Sequence, residues 1–224
     1  MPAPHSYAPV SARRRLTLVA TTLCGGLTAT AISPSIASAT QDPTITVSGG
    51  EKTVTCSITP LTKDTALTAG HCGKEGDEVR VGKGGNGEQI GTVEKNYLIE
   101  GANKDAALIR LNQDHHVAKE DLPPCISQPN VADEITVGGG TSKRTSGKIV
   151  SELVSNGADA FKKCFPATYM LTDAEAERGD SGAPIHSQEG CLAGLLTAGN
   201  GKYSALTFLP EDALESAPDL RQDN

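Results

Sequence analysis

Three short segments of this 224-residue chain hold the side-chain types that acyl transfer by a serine requires. Gly179-Asp180-Ser181-Gly182 sets a serine in a glycine-flanked turn, Leu67-Thr68-Ala69-Gly70-His71-Cys72 supplies an imidazole, and Asp105-Ala106-Ala107-Leu108-Ile109 opens an apolar run with a carboxylate. A serine alcohol is a weak nucleophile by itself. An imidazole must take its proton, a carboxylate must hold that imidazole in one tautomer, and donors must face the oxygen on which charge develops. Glycine before and after Asp180-Ser181 lets the backbone N–H groups of Gly179 and Ser181 converge on one point. Singly, each segment has a plain reading: an ordinary turn, a structural histidine, a strand-capping aspartate. Together, in the order His71, Asp105, Ser181, they point to chemistry.

Other candidates are weaker. Adjacent residues of a strand point to opposite faces, so His115-His116 is not a chelating pair and reads as a solvated loop. His186, five residues after Ser181, is expected in the following strand and pointing away from the site. Gly82-Lys83-Gly84-Gly85-Asn86-Gly87 lacks the Lys-Ser/Thr and the helix that a phosphate loop needs, so it reads as a hairpin turn.

Holding these side chains in place is a task for strands. Runs rich in Val, Ile, Leu and Thr recur between Gly, Asn, Asp and Pro clusters at Val54–Ile58, Ala66–Thr68, Glu78–Val81, Gln89–Val93, Ala106–Leu111 and Ile135–Val137. They continue at Lys148–Val154, Thr168–Leu171, Ala183–Ile185, Leu192–Thr197 and Ser204–Phe208. About eleven short strands of this kind mean an all-β sandwich or barrel. One helix is expected, at Pro210–Ser216, where Pro tolerates the first turn and Glu211 and Asp212 favour the positive end of the helix dipole.

Residues 1–39 differ from the rest: they hold Arg13, Arg14 and Arg15, no acid, a mostly apolar or small stretch from Leu16 to Ile36, and the exit Ala37-Ser38-Ala39. That is the pattern of a signal peptide, with the mature chain starting near Thr40 and residues 40–224 forming one domain. Gly25, Gly26, Thr28, Thr30, Ser33 and Pro34 break the apolar run short of the roughly 20 residues of a membrane span. Without this segment 17 basic face 27 acidic residues, a balance that excludes nucleic acid as a partner. Secretion also fits five remaining cysteines, Cys56, Cys72, Cys125, Cys164 and Cys191, none at a zinc-type Cys-x-x-Cys spacing.

At the Thr68-Ala69-Gly70-His71-Cys72 turn, the Asp105 strand and Gly179-Asp180-Ser181-Gly182-Ala183-Pro184, the chain resembles the trypsin/chymotrypsin superfamily, and the small secreted bacterial members more than the digestive ones. The resemblance runs from about Val54 to Leu214 and implies two packed six-stranded antiparallel β-barrels with a short C-terminal helix. It implies a secreted serine endopeptidase with His71, Asp105 and Ser181 as triad and the N–H groups of Gly179 and Ser181 as oxyanion hole. The expectation is an enzyme without cofactor or metal that acts as a monomer on protein or peptide substrates. It also implies a Cys56–Cys72 disulfide. Cys164–Cys191 is the second bridge expected, since both flank strands of the second barrel around the nucleophile loop, and Cys125 is then the odd thiol unless it pairs with either.

Family members activated by cleavage free an Ile-Val-Gly-Gly-like N-terminus that pairs with the residue equivalent to Asp180, and no such sequence precedes His71. A buried, unpaired carboxylate is costly, so Asp180 needs another partner, with Arg178, Arg144 and Lys143 on offer. By the resemblance, Glu175, six residues before Ser181, stands at the floor of the primary substrate pocket, and Thr197, Ala198 and Gly199 wall it. An acidic floor favours Lys or Arg in the substrate; alternatively Glu175, with Asp173 and Glu177, lines a solvated loop. The competing functions are a catalytically silent member serving as a binding module, and an esterase using the same triad, whose Gly-x-Ser-x-Gly elbow and βα alternation are missing here.

Overall fold

Alternation of Thr and Ser with Ile45 and Val47 builds the first strand, β1 (Thr44–Gly49), whose apolar side chains are fully buried. The computed structural model describes residues 44–50, 52–98, 104–152, 154–155, 167–217 and 220; the expected signal segment and Cys164 lie outside them. After β1 come β2 (Lys52–Ser57), β3 (Thr59–Pro60), β4 (Thr65–Thr68), β5 (Glu78–Val81), β6 (Gln89–Asn96) and β7 (Ala107–Leu111). The second half holds β8 (Glu134–Gly139), β9 (Lys143–Lys148), β10 (Val154–Ser155), β11 (Thr168–Thr172), β12 (Pro184–Ser187), β13 (Leu192–Gly199) and β14 (Ser204–Thr207). Among the described residues one α-helix, α1 (Glu211–Glu215), follows; it lies within the expected stretch Pro210–Ser216, with Pro210 as its N-cap rather than in its first turn.

All pairings between these strands are antiparallel, in two sheets ordered β2-β1-β5-β6-β7-β4-β3 and β10-β11-β14-β13-β12-β8-β9. Each sheet is six strands plus a two-residue piece at one edge, β3 in the first and β10 in the second. The strands β2 and β3 stand at opposite edges yet are joined by Ile58 alone, so the first sheet must curl until its edges meet. In the second, Ile149, directly after β9, bridges Thr172 of β11, and Val150 donates to the Leu171 carbonyl, which draws the far edges together.

The strand expected over Lys148–Val154 is divided between the end of β9, this bridge and β10. Neither β1 nor most of β9 is among the expected strands. The sequence of β9, Lys-Arg-Thr-Ser-Gly-Lys, has no apolar alternation; it is an exposed edge fixed by register, Glu134 opposite Lys148 through Gly139 opposite Lys143.

Each sheet encloses its own core, with Ile45, Ile58, Ile90 and Ile109 in the first and Val137, Ile149, Ile185 and Leu206 in the second. A third cluster joins them: Leu61, Leu67 and Leu108 of the first half meet Leu192 and Leu195 of β13, with Ala213 of α1 packed among them. Burying such side chains is worth about 1.5–3 kcal/mol each, so this cluster fixes the two halves face to face. Among the described residues no helix is long and apolar enough to cross a membrane.

Candidate active site

The imidazole sits on a single 3-10 turn, Gly70–Cys72, that ends β4. A Cβ at Gly70 would lie 2.8 Å from Leu98 Cβ and 3.0 Å from the Ala106 carbonyl, so only glycine lets this turn approach the segment carrying Asp105. Asn96, at the end of β6, donates its side-chain amide to the carbonyls of Gly70 and Gly73, bracing the turn from both ends. A disulfide joins Cys56 and Cys72, tying β2 to the residue after His71. Closing a loop across this separation of 16 residues contributes about 3 kcal/mol in the chain-entropy account.

Asp105 is 1 % exposed and uses both oxygens on one residue. Its Oδ1 accepts the His71 backbone N–H at 2.9 Å and its Oδ2 lies 2.8 Å from His71 Nδ1. An ionised carboxylate only accepts, so Nδ1 carries the hydrogen and Nε2 is left as the basic nitrogen.

Ser181 reaches the same place from the second sheet. Gly179 and Gly182 flank it with φ of 103° and 89°, a conformation that favours glycine. A Cβ on Gly182 would meet the Ser57 carbonyl and Thr68 Oγ1 at 2.4 Å and Ala69 N at 2.8 Å, so the turn abuts the approach to His71. The Ser181 carbonyl accepts the Ser57 N–H at 2.7 Å and lies 4.0 Å from Cys72 Sγ. Its hydroxyl donates to the Thr197 carbonyl at 3.2 Å. Among the described residues the backbone N–H groups of Gly179 and Ser181 meet no acceptor.

Asp180 is fully buried, and among the described residues its hydrogen-bond partners are backbone N–H groups rather than a cation. Its Oδ1 accepts the N–H groups of Thr141 (2.8 Å) and Ser142 (3.1 Å), and its Oδ2 accepts that of Glu177 (2.8 Å). Lys143, Arg144 and Arg178, the partners on offer in the sequence, are replaced by three peptide groups.

The residues expected around a substrate pocket are only partly gathered. Glu175 is exposed; its carbonyl accepts the Thr145 hydroxyl, and it lines a concavity of about 200 Å³ with Asp173, Glu177, Lys202 and Tyr203. Thr197, Ala198 and Gly199 end β13 and do not line that concavity. Gly199 faces Ala176 so closely that a Cβ there would lie 3.5 Å from the Ala176 carbonyl and 3.6 Å from its Cβ.

The second disulfide corrects the expectation of Cys164–Cys191: Cys191 is bonded to Cys125. Leu192 donates to the Cys125 carbonyl, Ser127 donates to that of Leu192, and Ile126 makes a parallel bridge to Leu192, which brings Cys125 alongside Cys191. The solvated reading of His115-His116 holds only for His116, beside Asp64; His115 is buried with its Nε2 3.2 Å from Glu88. His186 lies in β12, where burial, and then the Arg144 charge, hold its pKa below the ordinary imidazole value. Cys56, His71 and Cys72 cluster like metal ligands, but both sulfurs are in a disulfide.

Ser57, Thr59 and Asn96 carry no mark in the sequence, where a buried hydroxyl or amide on a strand looks like any other polar residue. Over residues 35–209 the chain matches the family described as Trypsin. Among solved structures it is similar to Cellulomonas bogoriensis chymotrypsin, at a TM-score of 0.58 and 19 % identity over 78 % of this chain and 93 % of that one. It is also similar to Thermobifida fusca protease A (0.56, 22 %, 76 % and 91 %) and to Nocardiopsis protease (0.57, 20 %, 77 % and 94 %). No curated protein matches it.

Proposed function

Because this chain belongs to the trypsin family, we propose that it is a secreted serine endopeptidase that works through His71, Asp105 and Ser181. The observation that carries the reading is the buried Asp105 carboxylate, 2.8 Å from His71 Nδ1, on a turn against which the Ser181 turn is packed. In the proposed reaction the Ser181 hydroxyl turns from the Thr197 carbonyl to the imidazole and gives Nε2 its proton as Oγ attacks the peptide carbon. Asp105 keeps the ring oriented and stabilises the imidazolium. The N–H groups of Gly179 and Ser181 take the oxyanion. His71 then returns the proton to the leaving amine, and water repeats the cycle on the acyl-enzyme.

Residues 1–39 serve as the signal peptide in this reading, and the mature protein acts outside the cell as a monomer, without cofactor, on protein or peptide chains. Two disulfides support an oxidising destination. Nucleic acid and membrane surfaces are not partners. Thr197, Ala198, Gly199 and Glu175 border the substrate. The test is hydrolysis of an unfolded protein: Ser181→Ala is expected to lose about 10⁴-fold or more in kcat while keeping its melting temperature. Activity within tenfold of wild type would remove Ser181 from the mechanism.

A further inference from the structure

We propose that Ser57 and Thr59 are positioning residues that set the geometry of the oxyanion-binding turn; this rests on the peptidase reading. Three carbonyls of the turn are held by one short stretch of the other sheet. Ser57 Oγ donates to Gly179 O at 2.9 Å, Ser57 N to Ser181 O at 2.7 Å, and Thr59 Oγ1 to Gly182 O at 2.7 Å. Both side chains are buried. Ser57 is itself anchored, since its Oγ accepts the Gly140 N–H at 3.2 Å and its carbonyl accepts the Thr68 hydroxyl at 2.8 Å, three residues before His71.

The other end of each peptide group is also tied. Asp180 N donates to Glu177 O, Gly182 N to Leu196 O and Ala183 N to Asp180 O. The peptide between Gly179 and Asp180 is therefore pinned at both its oxygen and its N–H. That plane lies between the N–H groups of Gly179 and Ser181, so its orientation sets the angle between them. Gly179, at φ 103° and without a Cβ, supplies no restraint of its own. The hydroxyl of Ser57 supplies it.

An oxyanion donor moved off its target acts as a donor partly lost, and a whole donor is worth about 10²–10³ in kcat. Ser57→Ala is accordingly expected to lower kcat about 10- to 100-fold with KM within about threefold. Thr59→Val, nearly isosteric and removing only the hydroxyl, gives a smaller loss of the same kind. Affinity for a peptide boronate, which forms a tetrahedral adduct, falls in parallel with kcat, whereas affinity for the cleaved product does not. A merely structural role would lower the melting temperature and leave the ratio of these affinities alone. Wild-type kcat in both folded variants, or losses confined to KM, would overturn the proposal. Absence of hydrolysis in the wild type would instead overturn the peptidase reading beneath it.

Discussion

Replacing Asp180 by Asn tests how the buried turn that carries Ser181 is held by backbone N–H groups. The carboxylate accepts three backbone N–H groups, two at Oδ1 and one at Oδ2, and is fully buried. An amide can keep its oxygen toward Thr141 and Ser142, but its NH₂ then faces the Glu177 N–H, donor against donor. One charge-assisted bond worth about 1.5–3 kcal/mol is lost, two become neutral at about 1 kcal/mol each, and the half-buried Glu177 N–H loses its acceptor. The expected cost is about 3–5 kcal/mol. For a domain of about 185 residues that lowers Tm by roughly 6–20 °C. Thermal unfolding and urea titration measure it, with Lys143→Gln, Arg144→Gln and Arg178→Gln alongside, each expected within about 0.5 kcal/mol of wild type. A cost below about 1 kcal/mol for Asp180→Asn, or an equal cost for neutralising one of the three cations, would show that the N–H groups do not hold this carboxylate.

The gap between Gly199 and Ala176 admits about one methyl group, whereas a side chain between two walls needs about 3.5–4.0 Å on each side. Peptides with Ala at the cleaved position should therefore exceed those with Phe or Arg in kcat/KM, and Glu175→Gln should change the Arg-to-Ala ratio less than about fivefold, since an exposed ion pair is worth about 0–1 kcal/mol. A tenfold preference for Arg that vanishes in Glu175→Gln would contradict both statements. His186 is held below its ordinary pKa, so the unfolded chain binds the extra proton first as pH falls; the stability from this group is complete above about pH 6.5 and is lost as pH drops below it. His186→Gln should flatten the slope of stability against pH in that window, and an unchanged slope would show that other groups carry it.

The segments of His71, Asp105 and Ser181 were legible in the sequence because each is local: a glycine-flanked serine, a histidine beside cysteine and an aspartate before a strand are contiguous words. So were the all-β class and α1. What escaped was set by packing between distant segments. The exposed β9 has no apolar pattern and exists because β8 offers it an edge. Pairing of Cys125 with Cys191 depends on a bridge between Ile126 and Leu192, whose sequence separation hides it. The partners of Asp180 are peptide N–H groups, which every residue but proline has, so no side chain could announce them. Ser57 and Thr59 escaped because their importance lies in what the opposing turn presents to them.

Whether the Ser181 hydroxyl is an activated nucleophile is decided most directly by reaction of the disulfide-intact protein with a peptidyl phosphonate ester. Attack by Oγ expels one phenoxide and leaves a stable phosphonylated serine, a step that uses the same base and oxyanion donors as acylation. Mass mapping should place a single adduct on Ser181, absent in Ser181→Ala and formed at least about 10²-fold more slowly in His71→Ala. A folded wild-type protein that stays unlabelled, or carries the adduct on another serine, would contradict the account.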